Sequence, residues 1–158
     1  MITTVKKKLY VGCAINGLQP ELKQRFLAEI AQMKDQFRKH FEVLDFLGTA
    51  IGSPRDTYDQ DITECVMKAD CMLAICDHPS TGLGFEIAVA LFQRKIPVLA
   101  MAHESSSVSR LILGIHGHQF EFENYDYFGD IPEQAKSSLT RMMSAPKHYP
   151  HRGLMLHN

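Results

Sequence analysis

Short apolar runs alternate along this chain with segments of helical periodicity, and that alternation constrains the fold more than any other feature. Leu9–Ile15, Phe41–Leu47, Asp70–Cys76, Ile96–Met101 and His118–Phe122 are runs of strand length. Between the first two, Leu22, Phe26, Ile30, Met33 and Phe37 recur at helical steps with Lys and Glu interleaved. Further helices are expected from about Tyr58 to Lys68, over Phe85–Arg94, over Ser105–Leu113 with its serines capping, and over Pro132–Met143. Strands that alternate with helices build βαβ units and a parallel sheet. The near-continuous apolar strands agree, because a parallel sheet is covered on both faces. The expected architecture is a three-layer α/β sandwich with a parallel sheet of about five strands, flavodoxin-like or Rossmann-like in order. No internal repeat or linker divides it. Residues 1–143 read as one domain, and 144–158 as a Pro-, His- and Arg-rich tail.

The chain has 158 residues and a formal net charge of −1, so no global field draws in a nucleic acid polymer or an anionic membrane. No run approaches the ~20 apolar residues that a membrane span needs. Lys6–Lys8 ahead of Leu9–Ile15 has the look of an export signal, but the run soon meets Asn16, Gln19 and Glu21 and reads as a first strand. Cys13, Cys65, Cys71 and Cys76 form no CxxC pair and fit no zinc spacing. They read as reduced core thiols of a cytoplasmic protein. His116-Gly117-His118 and the tail histidines lack a carboxylate partner pattern, so no metal is expected.

In such a fold, ligands bind at the carboxyl ends of the strands. The loop after the third strand reads Pro79-Ser80-Thr81-Gly82-Leu83-Gly84-Phe85-Glu86. Gly82 and Gly84 permit a tight turn and close approach of backbone to a ligand. Glu86 is expected in the first turn of the following helix, where the helix dipole favours the carboxylate. A desolvated carboxylate there is either a nucleophile toward an anomeric carbon or a plain surface acid. Asp61 lies in the helix before the third strand. It is either the second carboxylate of a glycoside-cleaving pair or a solvated acid. Tyr10, in the first strand, either orients Glu86 or simply packs.

Taken together, Leu9-Tyr10-Val11, Asp59-Gln60-Asp61-Ile62 and Gly82-Leu83-Gly84-Phe85-Glu86 resemble the nucleoside 2-deoxyribosyltransferase superfamily. Ala69–Ala74 and Lys95–Leu99 fit the same pattern, and the resemblance runs from Lys8 to about Tyr127. Within it, Pro79–Glu86 looks like the 2′-deoxynucleoside 5′-phosphate N-hydrolases, which carry Pro-Ser-x-Gly-x-Gly-Tyr-Glu. The transferases have Asp where this chain has Ser80. Ser109 matches a serine that reaches the phosphate from a neighbouring subunit, where transferases tend to have Asn.

The resemblance implies that Glu86 attacks C1′ of a deoxyribosyl ring and forms a covalent glycosyl-enzyme. Asp61 then assists the departing base, and Tyr10 holds Glu86. Ser80, Gly82, Gly84, Ile15, Asn16, Gly17 and Ser109 are the expected substrate contacts. The implied partners are a small deoxynucleotide or deoxynucleoside and a second copy of the chain, at least a dimer, with no cofactor. One departure stands out. The hydrolases follow their first strand with Ser-Ile-Arg-Gly, whereas this chain has Ala14-Ile15-Asn16-Gly17 and lacks both the hydroxyl and the guanidinium. A base-exchanging transferase and a non-catalytic nucleotide-binding module remain as alternatives. A cytokinin-nucleotide glycosidase does not, because its Pro-Gly-Gly-x-Gly-Thr motif is missing.

Overall fold

The computed structural model describes residues 5–15, 17–45 and 52–145. Asn16 and nearly all of the expected tail therefore lie outside the described residues. Five parallel strands, β1 (Lys8–Cys13), β2 (Glu42–Leu44), β3 (Cys71–Ile75), β4 (Val98–His103) and β5 (Phe120–Tyr125), form one sheet in the order β2-β1-β3-β4-β5. This is the flavodoxin-like order expected from the alternation. Its direction of winding reverses between β1 and β3, which opens a crevice at their carboxyl ends.

Side chains alternate across the sheet, and each face carries its own core. Leu9, Val11, Leu73, Ile75, Leu99 and Met101 pack against α1 (Pro20–Phe37) and α5 (Ile131–Ser144). Tyr10, Met72, Ala74, Val98 and Ala100 face the other layer. That layer starts with α2 (Pro54–Tyr58), which continues through widened turns over Asp59–Cys65 and a tight turn over Val66–Lys68. Next comes α3 (Thr81–Ala88), prolonged by widened turns over Val89–Arg94. The short α4 (Arg110–Leu113) completes the layer. All four cysteines are free thiols. No helix among the described residues is long and apolar enough to cross a membrane.

Three helix starts differ from the sequence expectation, and all are set by caps; α4 begins at Arg110 rather than Ser105, with Ser109 as its cap. The segment after β2 turns helical at Pro54 rather than near Tyr58. Ser53 and Asp56 form a reciprocal capping box, and Pro54 fits the first helical position. α3 begins at Thr81 rather than Phe85, because the Ser80 hydroxyl accepts the Leu83 N–H at 3.1 Å. Gly82 and Gly84 therefore sit inside a helix and not in a tight turn. Neither has a positive φ, in contrast to Gly17 at 86° in the turn after β1.

Candidate active site

Starting α3 at Thr81 fixes where Glu86 points. Leu83, Ile87 and Ala90 are buried against the sheet, and Glu86 lies on the same stripe, three residues after Leu83. A carboxylate is thus carried to the sheet-facing side of a helix, above β1. The Tyr10 hydroxyl meets it there and donates a hydrogen bond to Oε2 at 3.1 Å. Gly12, two residues further along the same face of β1, makes the room. A Cβ built on it would lie 2.8 Å from Glu86 Oε2 and 2.9 Å from Leu83 Cδ1.

Asp61 arrives from the widened turns that follow α2. Its neighbours Ile62, Cys65 and Val66 are buried and anchor the segment, while Asp61 turns toward the crevice. Widened turns recur at functional sites because they re-aim a side chain out of ordinary helical register. Asp61 Oδ1 is buried with no hydrogen-bond partner among the described residues.

Burial decides the protonation of this group of side chains. It pushes Glu86 up to about 7, with a further push from the nearby Asp61 and a counter-pull from the Tyr10 hydroxyl. Glu86 is the sixth residue of α3, in its second turn, where the helix dipole has faded. The expectation that the dipole would hold it ionised is corrected accordingly: desolvation wins. Burial also raises Asp61, to about 6. The Tyr10 phenol is held well above its ordinary value by burial, then by the charges of Glu86 and Asp61, and stays a proton donor.

These groups line one cleft of about 650 Å³. Tyr10, Asp61, Glu86, Ser80, Gly82 and Ile15 of the expected site all border it. Gly84, Gly17 and Ser109 do not border it, and Asn16 lies outside the described residues. Ser109 is exposed and caps α4 by accepting the Leu111 N–H at 3.3 Å. β2 pairs with β1 only as far as Tyr10. The cleft therefore passes over the outer edge of β1 to α1, where Lys23, Leu27, Ile30, Ala31 and Lys34 complete its wall.

The sequence reading missed this α1 wall and Gly12. A signal for the wall was present. Lys34 falls four residues after Ile30 and three before Phe37, on a stripe that should be apolar.

No family model matches the chain. A protein of Thermofilum pendens named "putative 2′-deoxynucleoside 5′-phosphate N-hydrolase 1" is 36% identical over 89 residues, covering 55% of this chain and 61% of that protein. One of the same name from Methanosarcina barkeri is 42% identical over 60 residues, covering 38% and 37%. Over these segments the chain is similar to proteins that carry the deoxynucleotide N-hydrolase name. Its match spans about three fifths of the first of these relatives and less than two fifths of the second. The resemblance expected from Tyr10, Asp61 and the glutamate segment stands. Among solved structures, the CMP N-glycosidase BcmB of Clostridium botulinum has the same fold. It has a TM-score of 0.60 and 18% identity, and the match covers 84% of this chain and all of that one.

Proposed function

We propose that this protein hydrolyses the N-glycosidic bond of 2′-deoxynucleoside 5′-monophosphates, with Glu86 as nucleophile. The observation that carries the proposal is a desolvated Glu86 carboxylate, held by Tyr10 on Oε2 and facing a cleft shared with a second desolvated carboxyl, Asp61. A pure binding site for an anionic nucleotide would gain nothing from two buried carboxyl groups. With Oε2 engaged, Oε1 is the oxygen free to attack C1′. The Oε1–C1′ bond forms as the C1′–N bond breaks, and the electron pair goes to the base nitrogen. Asp61 delivers its proton to the leaving base. Water then attacks C1′ of the glycosyl-Glu86 ester, releasing deoxyribose 5-phosphate and restoring both carboxyl groups.

The chemistry needs one proton on the pair, placed on Asp61. Tyr10 donates to Glu86 and favours its ionised form, whereas Asp61 Oδ1 has no donor to steady a charge. With Asp61 at about 6 and Glu86 at about 7, the single proton rests mainly on Glu86; the productive arrangement, with the proton on Asp61 and the charge on Glu86, is the minor one, and the Tyr10 hydrogen bond to Glu86 helps to populate it. With the two groups at about 6 and about 7, the productive state peaks between those values. As pH falls, Glu86 gains a proton and attack is lost; as pH rises, Asp61 loses its proton and leaving-group assistance is lost. A narrow bell in kcat/KM, highest between pH 6 and 7, is the expected profile. A plateau extending to pH 9 would contradict it.

Lys23 supplies the cation that the Ala14–Gly17 loop lacks. It borders the cleft near the start of α1, half-buried, and its ammonium has no ion or hydrogen-bond partner among the described residues. Together with the Ser80 hydroxyl it makes a phosphate seat. Lys23→Ala should raise KM for a monophosphate about tenfold, the scale of one charge-assisted hydrogen bond. The gap in kcat/KM between monophosphate and free deoxynucleoside should narrow. An unchanged gap would remove Lys23 from the phosphate site.

Ser109 would serve the cleft of a second copy in at least a dimer. Its exposure, and the adjacent Leu111 left 81% exposed, support that arrangement. The free thiols suit a cytoplasmic setting. The deciding experiment offers the purified protein each deoxynucleoside and each 5′-monophosphate, with and without an acceptor base. Free base from monophosphates without acceptor is the expected result. A new nucleoside formed only with acceptor would instead make the protein a transferase, and binding without turnover would make it a sensor.

A further inference from the structure

Lys34 is a buried lysine that the chemistry above does not use. It is 8% exposed, and Ser138 is the one other polar residue buried so deeply among the described residues. Its ammonium has a single ion partner among the described residues, Asp45, at 3.9 Å, beyond hydrogen-bond reach. Asp45 is already engaged: Arg38 Nη2 donates to both of its carboxylate oxygens, at 2.8 and 2.6 Å. The stem of Lys34 is buried, while its Nζ is not among the buried unpartnered atoms of the described residues and so is free to donate to a group entering from outside. Lys34 borders the cleft that holds Glu86.

Its place in that cleft is defined by α1. Lys23, Leu27, Ile30, Ala31 and Lys34 form one stripe along the helix, and all five border the cleft. Eleven residues separate the two lysines, three helical turns, or about 16 Å along the axis. Both side chains lean toward the helix N-terminus, so the two ammonium groups keep roughly that separation, which a nucleotide with a hydrogen bond at each end can span. The cleft thus has one lysine near the start of α1 and a second, beside Asp45, near the other end of the helix. Glu86 and Asp61 border the same space. The charges of Asp61, Lys34, Glu86 and Asp45 all act on the Cys65 thiol, which puts Lys34 in the neighbourhood of the two carboxyl groups.

We propose that Lys34 recognises an oxo oxygen on the base of the nucleotide and stabilises that oxygen as the base departs. This rests on the N-hydrolase reading. With the 5′-phosphate at the Lys23 end and C1′ over Glu86, the base extends away from Lys23 toward Lys34. An ammonium has three donors and no acceptor. It can pair with the oxo oxygen of guanine, hypoxanthine, uracil, thymine or cytosine. Adenine has no oxo group, and its exocyclic amine turns N–H bonds toward the ammonium. When the C1′–N bond breaks, the electron pair enters the base and enriches the oxo oxygen. A cation already in place there binds the transition state more strongly than the ground state.

The test compares dIMP with dAMP, which differ in the oxo and amino groups at one ring position. Wild-type protein should favour dIMP in kcat/KM by at least about 30-fold, well inside what an unpaired buried polar group can impose. In Lys34→Met, which keeps the length and apolar stem, that ratio should fall to within about threefold of unity, with the loss for dIMP mainly in kcat. Lys34→Arg, which retains donors and charge, should recover part of the ratio. Equal turnover of dIMP and dAMP by wild-type protein, or a ratio that survives in Lys34→Met, would overturn the inference. If Lys34→Met does not fold, calorimetry of free hypoxanthine and free adenine with wild-type protein decides. Tighter hypoxanthine supports it, and equal binding overturns it. Turnover of some monophosphate with an unchanged ratio rejects the role of Lys34 alone. Absence of turnover with every monophosphate rejects the N-hydrolase reading, and this inference with it.

Discussion

Glu86→Gln should fold and yet lose about 10⁴-fold or more in kcat, the scale seen when a nucleophile is removed from a cooperating set. Gln keeps the size of the side chain and can still accept the Tyr10 hydrogen bond, so the cleft is undisturbed. What disappears is the negative oxygen that attacks C1′. The same substitution should make the protein more stable in alkaline solution. Glu86 is raised from 4.5 to about 7 by folding, so the native state holds a proton there that the unfolded chain gives up. The folded state carries no penalty from this group below about pH 4.5. The penalty grows as pH rises toward about 7 and is complete above it. Gln does not titrate and escapes the penalty. At pH 8 the variant should melt about 3 °C or more above wild type, and at pH 4 the two should coincide. Melting curves at the two pH values, set beside initial rates, separate the outcomes. Wild-type rates in Glu86→Gln would end the proposed mechanism. Equal melting points at pH 8 would mean that Glu86 is not desolvated.

The fold was legible because a doubly covered parallel sheet writes itself as separated apolar runs, and β3, with Cys71 through Ile75 all buried, is the clearest case. The alternation of β1 was harder to see. Tyr10 and Gly12 face the site while Leu9 and Val11 face α1, but all four are compatible with one apolar run. Gly12 was therefore read as part of a strand rather than as space for a carboxylate. The start of α3 was misplaced because two glycines suggest a turn. The Ser80 cap outweighs them, and Ser80 then serves two purposes, opening the helix and lining the cleft. That four-residue shift moves Glu86 out of the first turn and reverses the expected sign of its shift. Burial could not be read from residues 79–86 alone, because it depends on β1 and on the turns around Asp61. Lys34 was readable as a charge on an apolar stripe. Its meaning required Asp45, eleven residues further along the chain and already satisfied by Arg38.

Gly12→Ala tests the geometry without touching a titrating group. The new methyl would stand 2.8 Å from Glu86 Oε2, 2.9 Å from Leu83 Cδ1 and 3.0 Å from Met72 Cε. Each of these is the far end of a side chain, so the strand survives and its neighbours give way. Met72 can swing its terminal carbon at little cost. Leu83 is buried and fixed in α3 by its neighbours, so it yields less. Overpacking of this kind costs about 1–3 kcal/mol in stability, which a domain of this size can carry. The remaining relief is for Glu86 to withdraw, and that stretches the 3.1 Å bond from Tyr10 and moves the nucleophile off the line to C1′. A displacement near 1 Å at a reacting atom costs about 100-fold in rate. The variant should thus keep its fold, keep KM within a few-fold and lose about 100-fold in kcat. Rates measured on protein whose melting curve remains cooperative make the comparison. A kcat within threefold of wild type would mean that Glu86 is not held against β1. A matching collapse of structure and rate would mean that Gly12 serves the core and not the site.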